Sequence, residues 1–150
     1  MIREADVGDV IKLIEMAGKF HKYSVEDKGL GFVPSDLVKY MVFLMENPIA
    51  TVLVSEEEGV VVGSIAAIVN PWFMNFSDRI AHEQWWWVDP DFRGKGVAVG
   101  LLKEMEKWAK DAGARVIIMT SLHSEDSSDV ENYYKNHKFM YLESNWIKEI

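Results

Sequence analysis

Three residues without bulky side chains fall inside one short run, Arg93-Gly94-Lys95-Gly96-Val97-Ala98, where an apolar strand passes through Asp89-Pro90 into a helix. Such positions let a ligand approach the backbone, and the first-turn amides of the following helix have no internal acceptor. Amides so closely spaced at a helix N-terminus form a site for a phosphate-bearing ligand. Arg93 and Lys95 add positive charge locally in a chain of formal net charge −8, which further favours an anion. The blander alternative is a helix N-cap whose glycines serve tight packing. Two nucleotide motifs compete for these glycines, and neither fits. A Walker loop needs Gly-Lys-Ser/Thr after a four-residue gap, whereas Gly96 is followed by Val97. A Rossmann fingerprint needs a third glycine where Val99 stands, and an acidic residue where the next strand ends in Met119-Thr120.

The elements that must hold this run are legible from periodicity. Val10, Ile11, Leu13, Ile14 and Ala17 recur at helical spacing, which predicts a first helix over about 9–21, preceded by only a very short strand. Pro34-Ser35 opens a second helix that Asn47-Pro48 stops. Ala50–Ser55 and Val60–Val69, separated by Glu56-Glu57-Glu58-Gly59, predict an antiparallel hairpin, and residues 70–78 read as a loop. A strand over Ala81–Val88 leads into the glycine run, then a helix to about Ala112 with Leu101, Met105, Trp108 and Ala109 inward and Gly113 as cap. Arg115–Thr120 reads as a buried strand, and residues 121–127 as a polar loop. Ser128-Asp129-Val130-Glu131 has capping-box spacing for a helix over 129–137. Phe139–Glu143 and Trp146–Ile150 predict a closing hairpin. The order β-α-α-β-β-β-α-β-α-β-β makes one mixed α/β domain over residues 1–150.

Composition narrows the partners. A chain of 150 residues with 49% apolar residues has enough material for one core. With 16 basic against 24 acidic residues there is no basic face for nucleic acid; a cationic substrate fits better, and a solvated acidic surface is the simpler account of the charge. The absence of cysteine removes disulfides, thiolate metal sites and a cysteine nucleophile together. No apolar run approaches the roughly 20 residues of a membrane span, and Met1-Ile2-Arg3-Glu4 carries no signal-peptide pattern, so a soluble cytoplasmic protein is expected.

Arg93, Gly96 and Ala98 match, residue by residue, the Arg/Gln-x-x-Gly-x-Gly/Ala motif of the GCN5-related N-acetyltransferases, and the chain resembles that family along its whole length. The approach Val88-Asp89-Pro90-Asp91-Phe92 is similar to the family's, as is Tyr134-x-x-x-x-Phe139 near the C-terminus. The resemblance implies a GNAT-like fold in which acetyl-CoA lies between the strand ending at Val88 and the strand at 115–120. The pantetheine arm would then pair with the backbone of Trp86, Trp87 and Val88. The pyrophosphate would sit on the amides of Arg93, Gly94, Lys95, Gly96, Val97, Ala98 and Val99. No metal is implied. It also implies a strand bulge at the cleft, which the sequence does not reveal, and direct attack of a primary amine on the thioester in a ternary complex.

For the catalytic groups the resemblance points to Glu83 as base, on the strand where many members carry a glutamate, and to Tyr134 as the proton donor beside the sulfur. Glu83 read without the resemblance is a solvated carboxylate or half of an ion pair. His82 is its substitute, because a one-residue bulge exchanges which of the two faces the cleft. Tyr134 read alone is a core aromatic; Tyr133 points about 100° away on the same helix. Two departures stand out: Lys138 occupies the place of a glycine, so the helix end must turn differently or strain a non-glycine residue, and Ser127 stands where an asparagine often contacts the cofactor. Trp85, Trp86 and Trp87 line either the core or the acceptor cleft, and the aromatic run 71–76 is a pocket wall, a core cover or a dimer contact. Acidic Glu125-Asp126 could attract a cation. The acceptor is a small-molecule or a protein amine. The C-terminal hairpin, with Tyr141, Trp146 and Ile147, could form or swap across a homodimer interface. The rival class is a catalytically weak acyl-CoA-binding regulatory module.

Overall fold

The computed structural model describes residues 1–121 and 127–148. Strand β1 (Ile2–Glu4) leads through a short 3-10 turn into helix α1 (Val10–Ser24), and Pro34, well placed at a first helical position, opens α2 (Pro34–Glu46). Strands β2 (Ala50–Glu57), β3 (Val60–Trp72) and β4 (Asn75–Val88) follow, then α3 (Val97–Asp111), β5 (Val116–Ile118) and α4 (Ser127–Asn136). The strands form one sheet in the order β1-β2-β3-β4-β5, antiparallel except for the parallel β4–β5 pair. No helix among the described residues is long and apolar enough to cross a membrane.

Both faces of the sheet are covered. Leu13 and Met16 of α1 and Met41 and Leu44 of α2 pack with Val52, Val54, Ala66 and Trp87 on one face. On the other, Leu101, Leu102 and Met105 of α3 pack with Leu53, Ile65, Ala67 and Val88. Gly63 lets α3 come this close, since a Cβ there would meet Val97 Cγ1 at 3.0 Å, Leu101 Cδ1 at 3.1 Å and Val88 Cγ2 at 3.2 Å. Every large apolar residue assigned inward on α3 is buried or half-buried, as its period demands.

The mixed α/β class and the order through α4 agree with expectation, and three segments do not. Arg115–Thr120 is no buried strand: only Val116–Ile118 pair, at the edge of the sheet, and no residue of the segment is buried. Residues 70–78 are no loop: β3 and β4 continue to a tip at Phe73–Met74, with Trp72 opposite Asn75. Pro71 is tolerated because β2 begins at Ala50, opposite Ile68, so the missing Pro71 donor has no neighbouring acceptor on that side. The closing hairpin is absent from the described residues. Positions 139–148 carry no regular structure, and Met140 (91%), Tyr141 (83%) and Trp146 (93%) are exposed. Apolar alternation supplied the signal for strands there, but a strand also needs an edge to pair with, and none is engaged. Residues 122–126, the Ser127 and Ser128 side chains and residues 149–150 lie outside the described residues; these include Glu125-Asp126, expected to attract a cation, the expected Ser127 contact and the capping serine.

Candidate functional site

The glycine run is held by contacts from both ends. Asp89 donates its N–H to the Val62 carbonyl at 2.9 Å, and its carboxylate takes Lys19 at 3.1 Å and Lys12 at 3.3 Å from α1. Burial opposes the ionised form of Asp89, but Lys19, Trp87 Nε1 and Lys12 hold its carboxyl below the usual carboxylate range. The Arg93 side chain folds back along the strand it follows: Nε donates to the Val88 carbonyl at 3.1 Å, and the guanidinium lies 4.6 Å from the Trp87 ring centroid. Arg93 therefore fixes the turn with its side chain, and its own N–H is taken by the Pro90 carbonyl at 3.2 Å. Lys95 Nζ lies 5.0 Å over Phe92.

What the turn offers is unpaired backbone. Gly94 (φ 74°) and Gly96 (φ 84°) are left-handed, and a Cβ at either would point into open space. No side chain caps α3, and the first helical bond runs from Gly100 N–H to the Gly96 carbonyl at 2.9 Å. The amides of Val97, Ala98 and Val99 are left without an intrahelical acceptor. Such a cradle fits a pyrophosphate. Next to it β4 is unpaired on its β5 side: β5 bonds only opposite Ile80–His82, so the β4 edge from Glu83 through Trp86, Trp87 and Val88 has no strand beside it among the described residues. Trp86 Nε1 is buried there with no hydrogen-bond partner.

The bulge invisible in the sequence lies in β4. Ala66 pairs with Trp85 but Ala67 pairs with Glu83, so Gln84 is an extra residue. Stepping by two from Trp86 on a regular strand would place Gln84 and His82 on the α3 face. The bulge places Glu83 and Ala81 there instead, while Gln84 reaches the other face and accepts a bond from the Tyr40 hydroxyl of α2. His82 is exposed on the α2 face. Between the two candidate bases, backbone geometry brings Glu83 to the cleft.

Glu83 meets Tyr134 at one residue. Its Oε2 accepts from the Thr120 N–H at 2.8 Å, and the Tyr134 hydroxyl donates to the Thr120 carbonyl at 3.2 Å. Burial pushes the Glu83 carboxyl from its ordinary 4.5 up to about 7, with the Thr120 N–H opposing. Burial also raises the Tyr134 phenol well above its ordinary range, with the Glu83 charge and Tyr133 adding to the shift. The Tyr134 ring stacks on Trp86, centroids 6.3 Å apart at 29°, and lies 5.0 Å from Phe139. Tyr133 stacks on His137 at 3.9 Å. A half-buried carboxyl raised toward neutrality and a phenol kept protonated, both bonded to Thr120, are groups chemically able to take and give a proton beside the open β4 edge.

Trp85 and Trp87 pack in the core on the α1–α2 face, so of the three tryptophans only Trp86 borders the cleft. Lys138 is left-handed (φ 66°), the strained outcome of the two its missing glycine allowed; the turn it makes lets Phe139 N–H bond the Tyr134 carbonyl at 3.0 Å. Sequence reasoning missed Thr120, whose partners lie 37 and 14 positions away, and Asp89, whose partners lie 77 and 70 positions away. No local spacing signals such long-range pairs.

The family model described as "Acetyltransferase (GNAT) family" matches residues 19–139. An uncharacterized N-acetyltransferase of Methanocaldococcus jannaschii is 34% identical over 79 residues, 52% of this chain and 34% of that protein, so the chain spans about a third of that relative. Among solved structures, a transcriptional regulator from Bacillus halodurans superposes with a TM-score of 0.80 at 17% identity, over 100% of this chain and 99% of that one. A predicted acetyltransferase with acetyl-CoA from Clostridium acetobutylicum gives 0.73 at 21% identity, over 97% and 95%. At these identities the superpositions establish the fold.

Proposed function

We propose that this chain, which belongs to the acetyltransferase (GNAT) family, moves the acetyl group of acetyl-CoA to a primary amine by direct attack within a ternary complex. The observation that carries the reading is the bulge at Gln84, which turns Glu83 toward Tyr134 beside a β4 edge left open to a ligand. The unpaired amides of residues 97–99 and the open space at Gly94 and Gly96 suit the pyrophosphate; the backbone of Trp86–Val88 suits an extended amide-bearing arm. Acetyl-CoA supplies an activated acyl carbon and a thiolate leaving group, with no metal in the scheme.

The remaining work is proton handling. An alkylammonium is neutral only about once in 2,500 molecules at pH 7, a deficit of roughly 4–5 kcal/mol, so a base near the attacking nitrogen matters. Glu83, at about 7, is half ionised at neutral pH and takes that proton as the nitrogen bonds the acyl carbon. The C–S bond breaks with its electron pair on sulfur, and Tyr134 gives the thiolate its proton. Burial keeps the phenol protonated and so ready to donate to the departing sulfur; raised above its ordinary range it is a weaker acid than a thiol, so the proton it gives is made good by the one the attacking amine releases.

The acceptor is a small-molecule or protein amine, in a single domain over residues 1–150, in the cytoplasm. Exposed Met140, Tyr141 and Trp146 are the apolar material of a homodimer contact. Thiol release from acetyl-CoA over a panel of small amines and amine-bearing peptides tests the activity. Release that needs an amine and falls sharply in Tyr134→Phe is the expected result. Acetyl-CoA binding with no release for any amine, unchanged by Tyr134→Phe, would make the chain an acyl-CoA-binding module instead. Light scattering that shows a monomer in full-length protein would remove the homodimer.

A further inference from the structure

The parallel ladder between β4 and β5 stops at the pair His82–Ile118, and two residues on, the Thr120 N–H meets no main-chain acceptor of β4. It meets the Glu83 side chain, at 2.8 Å. A carboxylate has taken the place that a strand carbonyl holds in an unbroken ladder, at the very level where Gln84 bulges out. The other side of the same residue is occupied too, for the Thr120 carbonyl accepts the Tyr134 hydroxyl at 3.2 Å.

Resting on the roles given above to Glu83 and Tyr134, we infer that the main chain of Thr120 is a positioning element for both proton-handling side chains, its N–H orienting the base and its carbonyl holding the acid. One residue, two positions past the end of β5, sets their separation without contributing a side chain. The two contacts differ in strength. The N–H to a carboxylate is charge-assisted and short, whereas an O–H to O distance of 3.2 Å is long for its type. Tyr134 can therefore leave Thr120 for the sulfur at little cost while Glu83 stays in place.

Among the described residues, the groups that face Glu83 are few. From the segment just past β5 comes the Thr120 N–H, from α4 the Tyr134 hydroxyl with Tyr133 beside it, and from β3 the apolar Ala67; His82 turns to the opposite face. Thr120 thus supplies the polar contact that favours the ionised base. Losing an N–H bond to a carboxylate shifts its ionisation about tenfold. Without that contact Glu83 would be ionised in about one molecule in ten at pH 7, a rate loss of about five-fold that higher pH restores.

The test on the unaltered protein follows the Thr120 amide in proton–nitrogen correlation spectra from pH 5 to 9. We expect its proton resonance to move with a midpoint near the carboxyl's own, and to stand still in Glu83→Gln. A Thr120 amide that is flat across that range in the natural protein overturns the inference, whatever the activity. The second arm replaces Thr120 by its α-hydroxy analogue, an ester that deletes the N–H and leaves the Thr120 carbonyl an amide. The acidic limb of its pH–rate profile should move upward, with a loss of about five-fold at pH 7 recovered by pH 9. A limb unmoved by the ester yet abolished in Glu83→Gln would refute the role of Thr120 and leave Glu83 as base; a limb that persists in Glu83→Gln would remove the base itself.

Discussion

A carboxyl that must bury itself to titrate near neutrality costs the fold stability, and Glu83→Gln should return it. The ordinary value of 4.5 is raised to about 7 chiefly by burial. Between those two values the folded protein holds a proton that the unfolded chain has released, so stability falls as pH rises through that window and the loss is complete above it. The cost of the ionised side chain at pH 8.5, relative to pH 4, is about 3 kcal/mol. Glutamine is isosteric, keeps an acceptor for the Thr120 N–H and does not titrate. Its own amide adds an offset that is the same at every pH, so the difference between the proteins isolates the carboxyl. For a chain of this length about 3 kcal/mol corresponds to roughly 6–12 °C. Thermal unfolding at both pH values should show the Tm of Glu83→Gln, relative to the parent, rising by that amount from pH 4 to pH 8.5. A difference that does not change with pH would mean a solvated carboxylate with an ordinary pKa, and the burial argument for the base would fall.

Lys138→Gly should raise stability by about 0.5–1 kcal/mol, because relief of a left-handed side chain exceeds the backbone entropy glycine adds to the unfolded chain; denaturant melts that show a loss would mean φ 66° is unstrained there. Gly63→Ala should cost about 1–3 kcal/mol and weaken acetyl-CoA binding together, since its Cβ pushes the first turn of α3 off the sheet. Calorimetry with unchanged affinity would separate the cradle from that packing. Gly96→Glu, with a side chain and a negative charge in open space before the amides of 97–99, should abolish acetyl-CoA binding in a protein that still folds; retained affinity would remove the phosphate assignment.

Where the sequence was legible, one local signal determined one local structure. The helix α3 follows from its apolar period and from Gly113; the cradle follows from glycines, which reach φ 74° and 84° without the strain a side chain would meet there. Glu83 and Tyr134 were reachable as candidates by resemblance, but the choice of Glu83 over His82 depends on Gln84, and one extra residue in a strand leaves no compositional mark. The side-chain role of Arg93 was misplaced for a similar reason. A guanidinium near a glycine run suggests an anion, while the structure gives it the Val88 carbonyl and the Trp87 ring. The aromatic run at 72–76 read as a loop because Pro71 usually ends a strand, and here the neighbouring strand is too short to notice. The C-terminal segment had the alternation of a hairpin, but pairing is a property of two edges and cannot be read from one.

In the proposed mechanism, Glu83 is the group whose ionisation limits acyl transfer. The most direct test is kcat/KM for amine acetylation as a function of pH in the parent and in Glu83→Gln, using an amine that stays neutral across the scan. The parent should show an acidic limb with its midpoint near 7, and Glu83→Gln should be slow and lack that limb. An equal rate with the limb intact in Glu83→Gln would contradict the central claim.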